Sequence, residues 1–406
     1  MKLEVLSAQK GDCLLLHNDT DTGPGLILID GGPAGVSGET LIPRLMELRE
    51  QRELEDDEPL VIDLVIVSHV DDDHINGVID LLGAMLERQQ GGDPPLFQVN
   101  GLWHNSFDRV LGNDETGALL SAVQFGAASM ASLVEEAEEG PAADHARVLA
   151  GVKQGDDLRR LSDGLQIPVN QQFGGGLIQT APGEPVAHEV AGVEFVVIGP
   201  RQAELVALQK DFDKWLKKQP PSERTGPSML AALDDESVAN LSSIVLLARA
   251  GGKTVLLTGD ARSDKVLEGM MECGVCGEDE TIDVGILKMP HHGSIRNLDD
   301  EGDFLGRVTS ENYVFSGNGE HGNPDRETLE LLFKARPEAE MTLYFTYPVE
   351  EMDPVRREIH DRERAKRIKR GKPGGPAWND RTHSLGALLA GAPPGVKVVQ
   401  DGIPGI

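Results

Sequence analysis

Ser68-His69-Val70-Asp71-Asp72-Asp73-His74 crowds two imidazoles and three carboxylates into one short stretch. His69, Asp71, Asp73 and His74 offer nitrogen and oxygen donors, the ligand types that hold borderline and hard divalent cations. The device recurs twice. Leu257-Thr258-Gly259-Asp260 presents an aspartate on a glycine, and Pro290-His291-His292-Gly293 presents paired histidines. Taken singly, each place has a plainer reading. The first suits a polar turn that caps a helix starting near Ile75, with Asp73 as N-cap. A lone Thr-Gly-Asp carries little, and a lone His-His pair is more often a surface feature or a satisfied core. Three such clusters in one chain point instead to a dinuclear metal site.

Such a site needs rigid elements behind it. Leu60–Val67 is β-branched and nearly unbroken, which predicts a buried strand delivering the first cluster. Gly251–Asp260 reads as turn, strand and presented Asp, and Ile286–Met289 as a strand running into the paired histidines. Residues 1–32 predict a hairpin or two strands about the Asp19–Gly25 turn, residues 39–54 a helix, and Ile75–Gln89 an amphipathic helix. Leu96–Trp103 predicts a strand ending on His104 and Asn105. Val193–Ile198, Tyr313–Ser316 and Met341–Tyr347 predict further strands, with helices over Gln202–Lys218 and Glu327–Ala335. Pro220–Ser237 reads as a polar loop. About 108–188 the chain turns Ala-, Gly-, Glu- and Gln-rich with helical spacing, as expected of a helical insertion. The tail from 371 is Gly/Pro-rich and reads as weakly structured, with Trp378, Asp380 and His383 as the residues able to pack back.

The order of segments resembles the metallo-β-lactamase superfamily. It is most similar to the hydrolase domain of the DNA-uptake channel protein ComEC and its stand-alone relatives. The superfamily's usual loop is His-x-His-x-Asp-His; that branch has His-x-Asp-x-Asp-His, as residues 69–74 show. Lys10-Gly11-Asp12-Cys13, Leu28-Ile29-Asp30-Gly31-Gly32, Asn240-Leu241-Ser242-Ser243 and Lys288-Met289-Pro290-His291-His292-Gly293-Ser294 also match, across roughly residues 1–335. Gly322-Asn323-Pro324 departs from that branch's Gly-His-Pro, so no histidine role carries over there, although His321 stands next to it.

The resemblance implies an α/β fold, a four-layer αββα sandwich, over 1–350. The insertion interrupts it, and a basic segment and tail follow over 351–406. It implies two divalent ions, Zn²⁺ or Mn²⁺, around a bridging hydroxide. His69 and Asp71 are assigned to one ion, Asp73 and His74 to the other, and Asp260 between them. One histidine of the pair completes the second ion. His292 is favoured, with His291, like Asp73, taking a catalytic part as a substrate-facing or proton-handling neighbour. Asp12, Asp30 and Asn240 are placed behind the ligands, where they orient imidazoles. Oxygen in place of the usual second histidine shifts preference towards Mn²⁺.

Composition bounds the rest. A chain of 406 residues, 39% hydrophobic, can bury about three quarters of its unfolded surface. No basic-then-apolar leader or run approaching about 20 apolar residues is visible, so a cytoplasmic location without membrane insertion is expected. Three cysteines give no disulfide framework. The net charge of −30 repels phosphate polymers except where positive charge intervenes. Metals would intervene, because three aspartates against two divalent ions leave about one positive unit. Arg356–Lys372, dense in Arg and Lys, is the other candidate, weighed against a solvated helix pairing internally through Glu358, Asp361 and Glu363. The expected activity is hydrolysis of phosphodiesters in DNA or RNA. The alternatives are a hydrolase of a small ester, lactone or nucleotide phosphodiester, and a component of a multi-protein system such as phage defence, with protein partners.

Overall fold

A computed structural model describes residues 1–21, 23–105, 154–206, 242–299 and 302–400. Period-two alternation sorts the strands' side chains onto two faces. In β1 (Lys2–Val5), β2 (Leu14–Thr20) and β3 (Gly23–Ile29), Leu3, Val5, Leu14, Leu16, Ile27 and Ile29 join one apolar cluster. Leu15, Leu26 and Leu28 join another, with Leu45 and Leu48 of α1 (Ile42–Gln51) and Val78, Leu81 and Leu82 of α2 (Asp72–Gly91). Burying each such side chain fully contributes about 1.5–3 kcal/mol. With β5 (Leu64–Val67) and β7 (Leu102–His104) these strands form a five-stranded sheet of order β1-β2-β3-β5-β7.

The second sheet has eight strands. They are β8 (Ala187–Val190), β9 (Val193–Gly199), β10 (Val245–Ala250), β11 (Lys253–Leu257), β13 (Ile286–Lys288), β15 (Asn312–Phe315), β16 (Met341–Phe345) and β17 (Val396–Val399). Phe195, Val197, Leu246, Val255 and Leu257 point into the cluster that the first sheet's Leu14 and Ile27 occupy, so the two sheets share one apolar layer. The opposite face, with Val196, Leu247, Leu256 and Leu343, packs against α4 (Ser263–Glu272), α5 (Arg326–Ala335) and α6 (Val349–Lys369) through Met270, Leu329 and Met352. The chain is thus a mixed α/β protein with helices outside its sheets.

Strand direction gathers the chemistry. β3, β5 and β7 run parallel, as do β11, β13, β15, β16 and β17. Loops after β3, β5, β11, β13 and β15 therefore all leave from carboxyl ends, where layered α/β folds place their sites.

Several expectations need correction. Leu60–Val67 is two strands. β4 (Leu60–Ile62) pairs with β6 (Phe97–Val99), while β5 joins β3 and β7. Asp63 makes the break, its backbone N–H donating to Leu26 O and its Oδ2 accepting from Leu26 N–H. Leu96–Trp103 breaks likewise, into β6 and β7. The amino-terminal region has three strands. α2 starts at Asp72, with Asp71 rather than Asp73 at the N-cap position and no side-chain capping bond; the aspartates of that loop are not spent on a cap. The tail is not weakly structured: Leu385 enters the core and β17 extends the eight-stranded sheet beside β16. Its four-residue strand is too short for periodicity to register among glycines and prolines. Of the expected insertion, 154–164 is helical (α3), with Leu158 buried among the α2 side chains. Residues 106–153, most of Gln202–Lys218, the Pro220–Ser237 loop and Asn240 lie outside the described residues.

Among the described residues no helix is long and apolar enough to cross a membrane.

Candidate metal centre

Each loop is tied to its neighbours before any ligand is considered. Asp30, at φ 56°, accepts from Ser68 N–H at 2.7 Å and from Ser68 Oγ at 2.7 Å, pinning the end of β5 to the end of β3. Its Oδ2 also lies 2.9 Å from His74 Nδ1. Asp12 N–H donates to Asp73 O at 3.1 Å, and a Cβ on Gly11 would stand 1.9 Å from that oxygen. Only glycine lets the Lys10–Asp12 turn lie this close under the ligand loop. Gly31 and Gly77 cross as tightly: a Cβ on Gly77 would sit 1.8 Å from Gly31 O, so α2 rests directly on the backbone after β3. His291 and His292 occupy left-handed backbone at φ 46° and 55°, a costly conformation for side-chain-bearing residues. That turn is held by His291 N–H donating to Gly259 O at 3.1 Å.

The four imidazoles share one arrangement. Each Nδ1 is occupied from behind: His69 by Ser68 Oγ at 3.0 Å, His74 by Asp30, His291 by Asn297 Oδ1 at 2.9 Å, and His292 by Ser316 Oγ at 2.8 Å. Partners at Nδ1 fix the ring and leave Nε2 to face forward. All four Nε2 atoms face Asp260. Its Oδ2 is 3.6 Å from His69 and 3.5 Å from His291, and its Oδ1 is 3.4 Å from His74 and 3.8 Å from His292. Asp71 Oδ2 joins the first pair, 3.6 Å from His69 Nε2. Asp73 joins the second, its Oδ2 3.7 Å from His292 Nε2 and its Oδ1 4.0 Å from His74 Nε2.

Most of these separations are longer than hydrogen bonds. They are close to the spacing of donors around one cation, since ligand bonds of about 2.0–2.2 Å set tetrahedral neighbours roughly 3.3–3.6 Å apart. The Nε2 atoms of His69, His74 and His292 and Oδ1 of Asp260 are buried with no hydrogen-bond partner. Buried polar atoms left unpaired cost about 1–3 kcal/mol each, so four in one place mark a missing ligand. The residues fit a metal, and the donors divide about Asp260, with His69, Asp71 and His291 towards one oxygen and Asp73, His74 and His292 towards the other. Asp73-His74-His292, the second of these sets, and His69-His74-Asp260, which crosses the two, are each close enough to hold an ion. The side chains of His291, Asp71 and Asp73 are 29%, 39% and 18% exposed, whereas the others are buried, so the centre opens on that side.

Charge explains what the cluster does without metal. Burial lowers the basicity of His74, but Asp260 and Asp30 outweigh it and hold the ring well above its usual pKa. Burial also opposes protonation of His292, yet Asp12 and Asp260 push it up to about 9. His69 is raised, against burial and His74, by Asp260 and Asp71. Burial would raise Asp260, but His291, His74, His292 and His69 hold it well below the carboxylate range. Asp73 is lowered against burial by His292 and His74. Protons thus stand where cations would. Behind them, Lys288 is buried with Nζ 2.8 Å from Asp12 Oδ2. That ammonium, against the cost of burial, holds Asp12 far below its usual range beside His292, whose Nδ1 is 3.4 Å away.

All seven described residues expected in the centre converge: His69, Asp71, Asp73, His74, Asp260, His291 and His292. Asp12 and Asp30 lie behind them, as expected. His291 stands on the exposed side of the centre, its Nε2 as near Asp260 as that of His69. Lys288, Ser68, Ser316 and Asn297 escaped the sequence reading. Only Lys288 left a signal, a charge inside an apolar strand. His104 and His321 enter no ligand group among the described residues. No protein-family model and no curated protein matches this chain.

Proposed function

We propose that this chain is a dinuclear metallohydrolase of phosphodiesters, acting on DNA or RNA, with the αββα layering of the metallo-β-lactamase superfamily. The observation that carries the reading is the division of eight donor positions into two sets joined by the Asp260 carboxylate. The shared apolar layer between two sheets with helices outside supports the fold assignment.

Bound between these sets, two divalent ions, Zn²⁺ or Mn²⁺, supply Lewis acidity towards a phosphoryl oxygen and a strong nucleophile at neutral pH. The chain's residues do the rest. Asp71, Asp73 and Asp260 balance most of the cationic charge and leave about one positive unit to attract the diester. Asp30, Ser68, Ser316 and Asn297 hold the imidazoles so that no donor must reorganise during reaction. Asp73 and His291, at the exposed side, border the space that the diester enters. In the net reaction the oxygen of water forms a new P–O bond, the bond to the leaving oxygen breaks, and that oxygen takes up a proton.

The acidic chain as a whole, at −30, favours a second reading in which the substrate is a small phosphodiester rather than a polymer. A panel of single- and double-stranded oligonucleotides beside a small chromogenic diester, with Mn²⁺ or Zn²⁺, separates the two. Oligonucleotide cleavage is expected, with loss of at least about 100-fold in Asp260→Asn, which affects both sets at once. Undiminished cleavage in that variant, or in excess chelator, overturns the reading.

A further inference from the structure

Among the described residues, the second half of α6 is the strongly basic surface the proposed chemistry leaves unused. Residues 362–372 hold seven Arg and Lys side chains against the single acid Glu363, in a chain whose net charge is −30. The plainer account is a solvated helix pairing internally, and the structure gives it little. Two ion pairs along the helix, Arg357–Asp361 and Arg367–Glu363, are both exposed and 3.9 Å long. Exposed pairs of that kind contribute little. Arg362, Lys369, Arg370 and Lys372 are exposed. Cations near a helix carboxyl end do complement its dipole, but that effect fades within one turn, and Arg362 lies well before the last.

The helix is rooted beside the metal centre just before its basic half. Arg356, buried at the helix's midpoint, donates from Nε to Gly322 O at 2.9 Å and from Nη1 to His383 O at 3.0 Å. The next residue but one to Gly322 in that loop is Pro324; between them Asn323 Nδ2 donates to His291 O at 3.4 Å. The following chain folds back along the helix. Arg364 Nε donates to Gly375 O, and Trp378 lies in a ring cluster with His360 and His383, with the Arg356 guanidinium 5.9 Å from its centroid. Trp378 is thereby brought back onto the helix at Arg356 and His360, just before the basic run. From Arg356 to Lys369 the helix covers about 20 Å, beyond the reach of a small diester seated at the centre.

The geometry points to this surface, Arg362–Lys372 on the outer half of α6 and the turn that follows it, as a backbone-binding site for single-stranded nucleic acid leading to the metal centre. It deepens the nuclease reading and rests on it for the identity of the substrate. Local positive charge in an otherwise repelling molecule holds phosphates by counterion release, and an adjoining indole suits a strand with unstacked bases.

The test is binding of a fluorescent single-stranded 20-mer to the whole chain in excess chelator, at a series of salt concentrations, by anisotropy. The comparison is the variant Arg362→Gln/Lys369→Gln/Arg370→Gln/Lys372→Gln, its folding checked by thermal melting. The expected result is at least about tenfold weaker binding by the variant at low salt, with a log–log salt slope shallower by roughly 2–3. Hydrolysis of the small chromogenic diester should be unchanged. Equal affinity and equal slope overturn the proposal, as does wild-type binding to phosphatidylserine vesicles but not to the oligonucleotide. Binding without cleavage retains this surface and removes the hydrolase reading; cleavage with an indifferent variant does the reverse.

Discussion

At the scale of the residue, the centre turns on one carboxylate. Asp260 meets two histidines with each oxygen, and each histidine is gripped from behind by a different residue. Metal and proton compete for the same nitrogens. Burial disfavours the His292 imidazolium, but Asp12 and Asp260 carry its pKa up to about 9, so the metal-free ring is protonated through the neutral range. Metal affinity should therefore climb as pH rises towards about 9 and level off above it. Stability of the metal-free fold has the opposite sign. A raised value in the folded state contributes fully below about 6.5 and is lost as pH rises through about 9. Chelator competition and thermal melts across that range measure both trends, and flat profiles contradict them. The ligand residues were legible in sequence because donors of this kind rarely crowd strand ends. How the His291 and His292 rings divide between Asp260's two oxygens was not legible, because no pattern in sequence reveals which way two consecutive left-handed residues aim their rings.

At the scale of the element, glycines set the distances. α2 carries His74 in its first turn, and its approach to β3 is fixed where Gly77 meets Gly31. Gly77→Ala forces the Cβ into Gly31 O, so the helix must lift and withdraw His74 from Asp30. A loss of about 1–3 kcal/mol and weaker metal retention are expected. Gly83→Ala, on the same helix with open space at its Cβ, is the control. It should be neutral or stabilise by up to about 1 kcal/mol, as alanine does for glycine in a helix. Thermal melting with a metal assay reads the pair; equal behaviour of the two variants removes the argument. Most strands and long helices were legible from apolar runs. The breaks at Asp63 and Asn100-Gly101 were not, because they depend on which neighbour each half pairs with, a long-range matter.

At the scale of the molecule, two sheets share an apolar layer and aim their parallel carboxyl ends at one place. Ligands from residues 69 and 292, remote in sequence, thereby meet within a few ångströms. Composition indicated an acidic molecule with a large core. It did not show that the tail closes the second sheet through β17, nor that Trp378 returns to α6, since both are settled by packing rather than local pattern. The central claim is that this architecture holds two cations on a common carboxylate. Elemental analysis of the purified, dialysed chain, with Asp260→Asn alongside, tests it most directly. The account predicts about two divalent ions per wild-type chain and loss of the pair in the variant. A well-folded wild-type chain that keeps no ion, or a variant that keeps both, would contradict it.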